Sequence, residues 1–421
     1  MPKIFGNFKR QYLLSEEISS LINKANMLTD GDEYKLYDVN ADSLERILDR
    51  ILVIARQEKE WYCYFFTLFE MLYVLYRNDK CMKILKYAEI FYRDSAIYMD
   101  TTVLDYPDTD IGEYSTWSYN MISYVYRKFP QITDEKMEAF MEQYKEAVKK
   151  YGGEKAYYED ELKLALMYKD IKRAKQAKEG LEHSEIGSCY LCAMKSVFGY
   201  YLLCEDYENL ERMVFQFRTR TIPAKHRWCY QYCHLAEERN LILDVLEYCL
   251  MVGRSEYFHK LLGENNKLFQ IKDEDAGTSE FYVYACLGDW TSLQDAVKRA
   301  EDDTEDWKKG EQSAMGYMYD CLCWYCYFTM LDRAGIHEVA TKLAGKEVPE
   351  IESAGEKTAD NEASETEDET ESAKCSCLEL AAYFEREADK IGGQMEASRK
   401  RYDYGALKQS YRECIGMAEK A

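Results

Sequence analysis

Cysteine is the residue type whose spacing first points to chemistry. Cys189 and Cys192 form a C-x-x-C in IGSCYLCAMK, and Cys229, Cys233 and His234 follow in RWCYQYCH. Cys321, Cys323 and Cys326 stand in YDCLCWYC, and Cys375 and Cys377 form one more close pair. Thiolates and imidazoles at such intervals could ligate zinc, which takes four ligands, usually from loops or tight turns. These pairs lie instead in aromatic, helix-patterned segments, and their spacings match no known finger. The expectation is therefore of reduced thiols filling helix crossings, with no metal and no cofactor.

Acidic and nucleophilic motifs lead no further. PDTDIGEY and KDEDAGTSE carry D-x-D, but glycine falls fifth, not sixth, and no Glu stands twelfth, so both read as acidic turns and not as calcium loops. The chain has no phosphate-cradling glycine loop, no nucleophile elbow and no H-E-x-x-H, and it has only five histidines. His226 and His234, the nearest pair, are eight apart. Hydrolysis needs a nucleophile, a base and an oxyanion site that converge, and no such set is legible. The expectation is a protein that is not an enzyme.

Binding chemistry is more visible. FRTRTIPAKHRWCY places Arg218, Arg220, Lys225 and Arg227 around Pro223, with Trp228 and Tyr230 beside them. Guanidinium forks suit the carboxylates of an acidic partner segment, and flanking aromatics add contact area. A second basic set, Lys169, Lys172, Arg173, Lys175 and Lys178, precedes it. Tyrosine is unusually abundant, 38 of 421 residues, and clusters in YCYFFTLFEMLYVLY, YSTWSYNMISYVY and YMYDCLCWYCYF. Most of these rings must be core, and those on a groove would serve as partner contacts.

Composition bounds the class of protein. Hydrophobic residues make up 47%, enough for a sizeable core, and only five prolines interrupt the chain, which favours helices. A net charge of −22 repels nucleic-acid backbones and anionic lipid. Eleven acidic residues against one lysine fall between Glu347 and Ala373 alone. The longest apolar run, Trp61 to Tyr76, is 16 residues and contains Glu70, which reads as a buried helix and not a membrane span. The first residues lack an apolar export segment, so a cytoplasmic, bacterial location with reduced thiols is expected.

Positioning any of these residues falls to helical hairpins. In YACLGDWTSLQDAVKRA an apolar run reaches a Leu-Gly-Asp-Trp corner, and Leu293, Ala296, Val297 and Ala300 then mark one helical stripe. Gly288 can take positive φ, and Asp289 can cap the second helix. Corners of the same kind fall at Asp170, Asp206 and Asp403, with looser versions near Asp79, Asn240 and Gly335.

An Asp, an aromatic or aliphatic residue, then an apolar residue three on resembles the middle of a tetratricopeptide (TPR) repeat hairpin. Asp289, Trp290, Leu293 and Ala300 match those positions, as do Asp206, Tyr207, Leu210 and Phe217. The family's early Trp, Leu and Gly are replaced here by Gly277, Glu280 and Phe281, or by Met194, Val197 and Phe198. Spacing is uneven too: 36 residues from Asp170 to Asp206, near the family's roughly 34, but 83 from Asp206 to Asp289. The resemblance implies an all-α, irregular TPR-like α-solenoid of stacked helical hairpins with one disordered acidic loop.

Its expected divisions are an N-terminal helix and loop (1–40), the hairpin array (41–346), the acidic stretch (347–374) and a C-terminal hairpin (375–421). The function this implies is a non-enzymatic protein- or peptide-binding scaffold. The alternatives are an immunity or chaperone-type partner of a toxic or secreted protein, or a peptide-sensing regulator lacking its own DNA-binding head. Arg218, Arg220, Lys225, Arg227, Trp228 and Tyr230 are the expected partner-binding residues.

Overall fold

The computed structural model describes residues 14–29, 40–78, 80–106, 109–184, 189–270, 276–310, 312–343 and 372–418. The acidic run from Glu347 to Glu371, and parts of both D-x-D turns, lie outside them. The described chain is all-α apart from one pair of short strands. It opens with α1 (Glu16–Leu28), α2 (Ala41–Glu58), α3 (Trp61–Arg77), α4 (Cys81–Asp105), α5 (Ile111–Tyr126) and α6 (Asp134–Tyr151). It continues through α7 (Glu154–Met167), α8 (Ile171–His183), α9 (Tyr190–Met194), α10 (Ser196–Leu203) and α11 (Tyr207–Arg218). Two 3-10 turns, Ala224–Gln231 and His234–Ala236, lead to α12 (Glu238–Val252), α13 (Ser255–Asn265), α14 (Thr278–Cys286), α15 (Leu293–Lys309) and α16 (Ala314–Arg333). Strands β1 (Glu338–Thr341) and β2 (Ala373–Ser376) precede α17 (Cys377–Ser398) and α18 (Tyr404–Ala418).

The helices join through one repeated corner. Lys169, Glu205, Gly253 and Gly288 all have positive φ, from 53° to 80°. Behind each, the next residue's N–H reaches back five residues: Asp170 to Ala165, Asp206 to Tyr201, Arg254 to Cys249, and Asp289 to Tyr284. This is the Schellman closure, which satisfies carbonyls left open at a helix end. Asp170 and Asp206 then accept from Arg173 N and Asn209 N and cap the following helices. Asp289 does not cap as expected. Its Oδ1 accepts from Thr291 N and Oγ1, an Asx turn, and α15 begins only at Leu293.

Two of the looser corners are corrected. Asn240 lies inside α12, and the true corner is at Gly253–Arg254. Gly335 does end a helix, but β1 follows instead of a second helix, pairing antiparallel with β2 so that Val339 faces Cys375.

Packing follows the order of the chain. Many helices pack on their successors, and a second set of contacts, in places the larger one, joins α3, α5, α7, α10, α12, α14 and α16 in turn into one layer. Helix α3, the long apolar run, is buried at every position from Tyr62 to Leu72. No helix of the described residues is long and apolar enough to cross a membrane. The C-terminal helices pack against this layer and its partners, α17 on α16 and α18 on α12, α13 and α16. They also reach far back in sequence. Arg399, wholly buried, donates from Nε to Ile132 O (2.9 Å), from Nη1 to Arg127 O (2.6 Å) and from Nη2 to Tyr126 O (2.5 Å) and Phe129 O (2.9 Å). One guanidinium thus closes the open C-terminal end of α5. Met315 N–H donates to Lys128 O at the same place (3.0 Å).

Candidate functional site

A cleft lies between α12, α13, α14, α16 and α18. It holds about 20 Å³ of space, with Leu246 and Phe258 among its apolar walls and Glu247, Ser279, Tyr282, Cys323 and Tyr411 as its polar lining. Asp320 stands one turn before Cys323 on α16, hence on the same helix face. Glu247 is solvent-accessible yet set among enough protein that desolvation, then the nearby Asp244 charge, pushes its carboxyl from 4.5 up to about 7. Desolvation also raises Asp320, with Asp303 and Glu247 adding like charge; Gln312 donates to it. Among the described residues neither Glu247 nor Asp320 forms an ion pair.

The surrounding groups are placed by the same packing. Lys195 Nζ pairs with Asp244 Oδ2 at 3.3 Å, linking the start of α10 to α12. Tyr248 O–H donates to Ser196 Oγ at 3.3 Å across the same two helices. Below α16, Asp303 is buried and accepts from Thr278 Oγ1 (2.6 Å) and Trp324 Nε1 (2.8 Å). Strongly perturbed carboxyls in a cleft mark a place where charge would be met by a ligand. A cation arriving there would find two carboxyls that no cation of the described residues pairs with, Glu247 and Asp320.

The basic residues read from the sequence separate into two groups. Arg218 is engaged internally: Nε pairs with Glu238 Oε1 at 2.9 Å, and Nη2 donates to Asn265. Tyr230 is half-buried and donates to Phe217 O at 2.9 Å, with the Arg220 guanidinium 5.3 Å from its ring centre. Arg220, Lys225 and Arg227 are exposed and form no ion pair among the described residues. Trp228 is 44% exposed, and Phe215 and Tyr232 reach 64% and 81%, so a basic, aromatic surface remains. The second basic set is largely answered by acids. Arg173 pairs with Glu138 and Glu161 at 2.6 Å each, and Lys178 with Glu182 at 2.7 Å.

The cysteines divide likewise. Cys321, Cys323 and Cys326 are buried among the aromatic side chains of α16. The pairs at 189/192 and 229/233 come together instead, with Cys192 Sγ 3.3 Å from Cys233 Sγ. Burial pushes the Cys189 and Cys192 thiols up to about 11.

The sequence reading missed the cleft. Glu247 and Asp320 sit in LEYCL and YDCLC, apolar helical runs where one acid carries no periodic signal. Their lack of charged partners is a long-range fact, set by which helices meet. No family model, curated protein or solved structure matches the chain.

Proposed function

We propose that the chain is a non-enzymatic, TPR-like scaffold that binds a protein through a basic segment seated in the acidic cleft. The observation carrying this reading is a small acidic cleft: Glu247 lines it without an ion-pair partner among the described residues, and Asp320, likewise without one, stands one helical turn before Cys323 of its wall. The cavity is too small for a small-molecule ligand, whereas Glu247 is exposed at its mouth, where the head group of a Lys or Arg side chain can meet it. A cation beside a carboxyl whose ionised form is disfavoured restores that form, and the resulting charge-assisted contact is stronger than a neutral one. A basic partner also agrees with the net charge of −22 and steers encounter over distance.

A second surface is available for an acidic stretch of the same partner: Arg220, Lys225 and Arg227 with Trp228 exposed beside them. Among binding roles, the acidic cleft favours an immunity or chaperone-type function toward a basic toxic or secreted protein, acting in a bacterial cytoplasm. The test is fluorescence anisotropy against peptide sets of matched length and opposite charge. Lys/Arg-bearing peptides should bind, and the double substitution Glu247→Gln with Asp320→Asn should weaken them at least about tenfold, since charge-assisted contacts are each worth about 1.5–3 kcal/mol. Equal binding of acidic and basic sets, or no effect of the substitutions, would overturn the proposal.

A further inference from the structure

We propose that Cys189, Cys192 and Cys233, with Cys229 as fourth donor, hold a structural zinc ion. The sulfur atoms of the first three lie within 4.8 Å of one another, and all three residues are half-buried. Zn–S bonds of about 2.3 Å in a tetrahedron place sulfurs about 3.8 Å apart. The 3.3 Å between Cys192 and Cys233 and the 4.8 Å limit on the trio bracket that edge, so these three need shifts of about 1 Å or less. Cys229 is fully buried beside Cys189 with its sulfur outside the close set of three, so it must move inward to complete the tetrahedron. Four soft sulfur donors on two short segments select zinc over calcium or magnesium, which take oxygen.

The backbone is arranged as a thiolate site requires. Tyr190 N–H donates to Cys229 Sγ at 3.2 Å, and the N–H groups of Cys192 and Leu235 point at the sulfurs of Cys189 and Cys233. Such second-layer N–H donors spread thiolate charge and fix sulfur direction. The His226 ring stacks on Tyr190, 5.1 Å between centres. On binding, each coordinating thiol gives its proton to solvent and becomes thiolate; no electron moves.

The location explains what the ion would do. Residues 219–237 are the irregular stretch in which the hairpin spacing fails, built of 3-10 turns whose hydrogen bonds are poorer than those of an α-helix. Zinc would clip this stretch to the short helix at Tyr190–Met194, and so hold Arg220, Lys225, Arg227 and Trp228 in place. The inference is independent of what binds that surface or the acidic cleft.

Elemental analysis of the intact protein, purified under reducing conditions, tests it. One zinc per chain is expected, and cobalt exchanged into the same protein should show a thiolate-to-cobalt charge-transfer band. Chelation should increase the alkylation of Cys189, Cys192 and Cys233 in peptide maps of the wild type, a readout that needs no variant to fold. Cys192→Ser and Cys233→Ser should lose the metal with helicity checked by circular dichroism, while Cys204→Ser keeps it. Metal-free protein whose thiols alkylate equally with and without chelator would overturn the site, as would a Cys192–Cys233 disulfide in freshly isolated material. Full zinc in Cys229→Ser would remove that residue as fourth ligand.

Discussion

At the scale of single residues, Arg399 and Glu247 carry opposite lessons about buried charge. Arg399 is a cation whose five donors meet four carbonyls at the end of α5 (Tyr126, Arg127, Phe129 and Ile132), so its burial is compensated by hydrogen bonds. Arg399→Met would leave those carbonyls without donors and should cost more than about 3 kcal/mol in urea denaturation. Arg399→Lys should recover little of it, because a point charge cannot fork to four acceptors. Glu247 is instead an acid held short of partners. In the fold its carboxyl titrates near 7, against 4.5 ordinarily, so between those values the folded chain holds a proton that the unfolded chain has released. Its contribution therefore makes stability fall as pH rises from about 4.5 through 7. Glu247→Gln should flatten that part of the stability–pH curve, measured by urea midpoints across the range, and an unchanged slope would count against the desolvated cleft. For the same reason a cationic partner should bind more tightly as pH rises through 7.

Helix-scale behaviour turns on close approaches the chain makes with glycine. A Cβ on Gly392 of α17 would stand 2.3 Å from the Tyr404 ring, near its root, where no rotation relieves the clash. Gly393, the next residue, faces open space. Gly392→Ala should thus destabilise by about 1–3 kcal/mol through overpacking. Gly393→Ala should stabilise by up to about 1 kcal/mol through helix propensity. Thermal melts of the two variants, shifting in opposite directions, check that α17 and α18 meet as described. Corners were the part of this scale most legible in the sequence. An Asp followed by an aromatic or aliphatic residue, between two apolar stripes, marked the turns at 170, 206 and 403, because side-chain capping is local chemistry. The corner at Gly253–Arg254 was misplaced to Asn240, since its capping position holds an Arg and gave no signal. Strand β1 was read as helix because Glu338–Thr341 is too short for a period of two to show, and its partner lies more than thirty residues away.

For the whole molecule, the fold class was readable and the site was not. Long apolar segments with few prolines announce helices, whatever their neighbours. Which faces come together does not follow from local pattern. The Arg399 contacts span more than 260 residues, the four cysteines come from segments about forty apart, and the cleft needs α12, α13, α14, α16 and α18 in one place. The basic stretch at 218–230 was visible because it is contiguous, yet only the structure separates the engaged Arg218 and Tyr230 from the exposed Arg220, Lys225 and Arg227. On the proposed reading, a partner's basic segment enters the acidic cleft. Carbodiimide cross-linking of the protein with a bound partner, captured from the source cell and mapped by mass spectrometry, tests it most directly. The account predicts amide links from partner lysines to Glu247 and Asp320, lost when both are replaced by amides. Links confined to other faces, or unchanged by those substitutions, would contradict it.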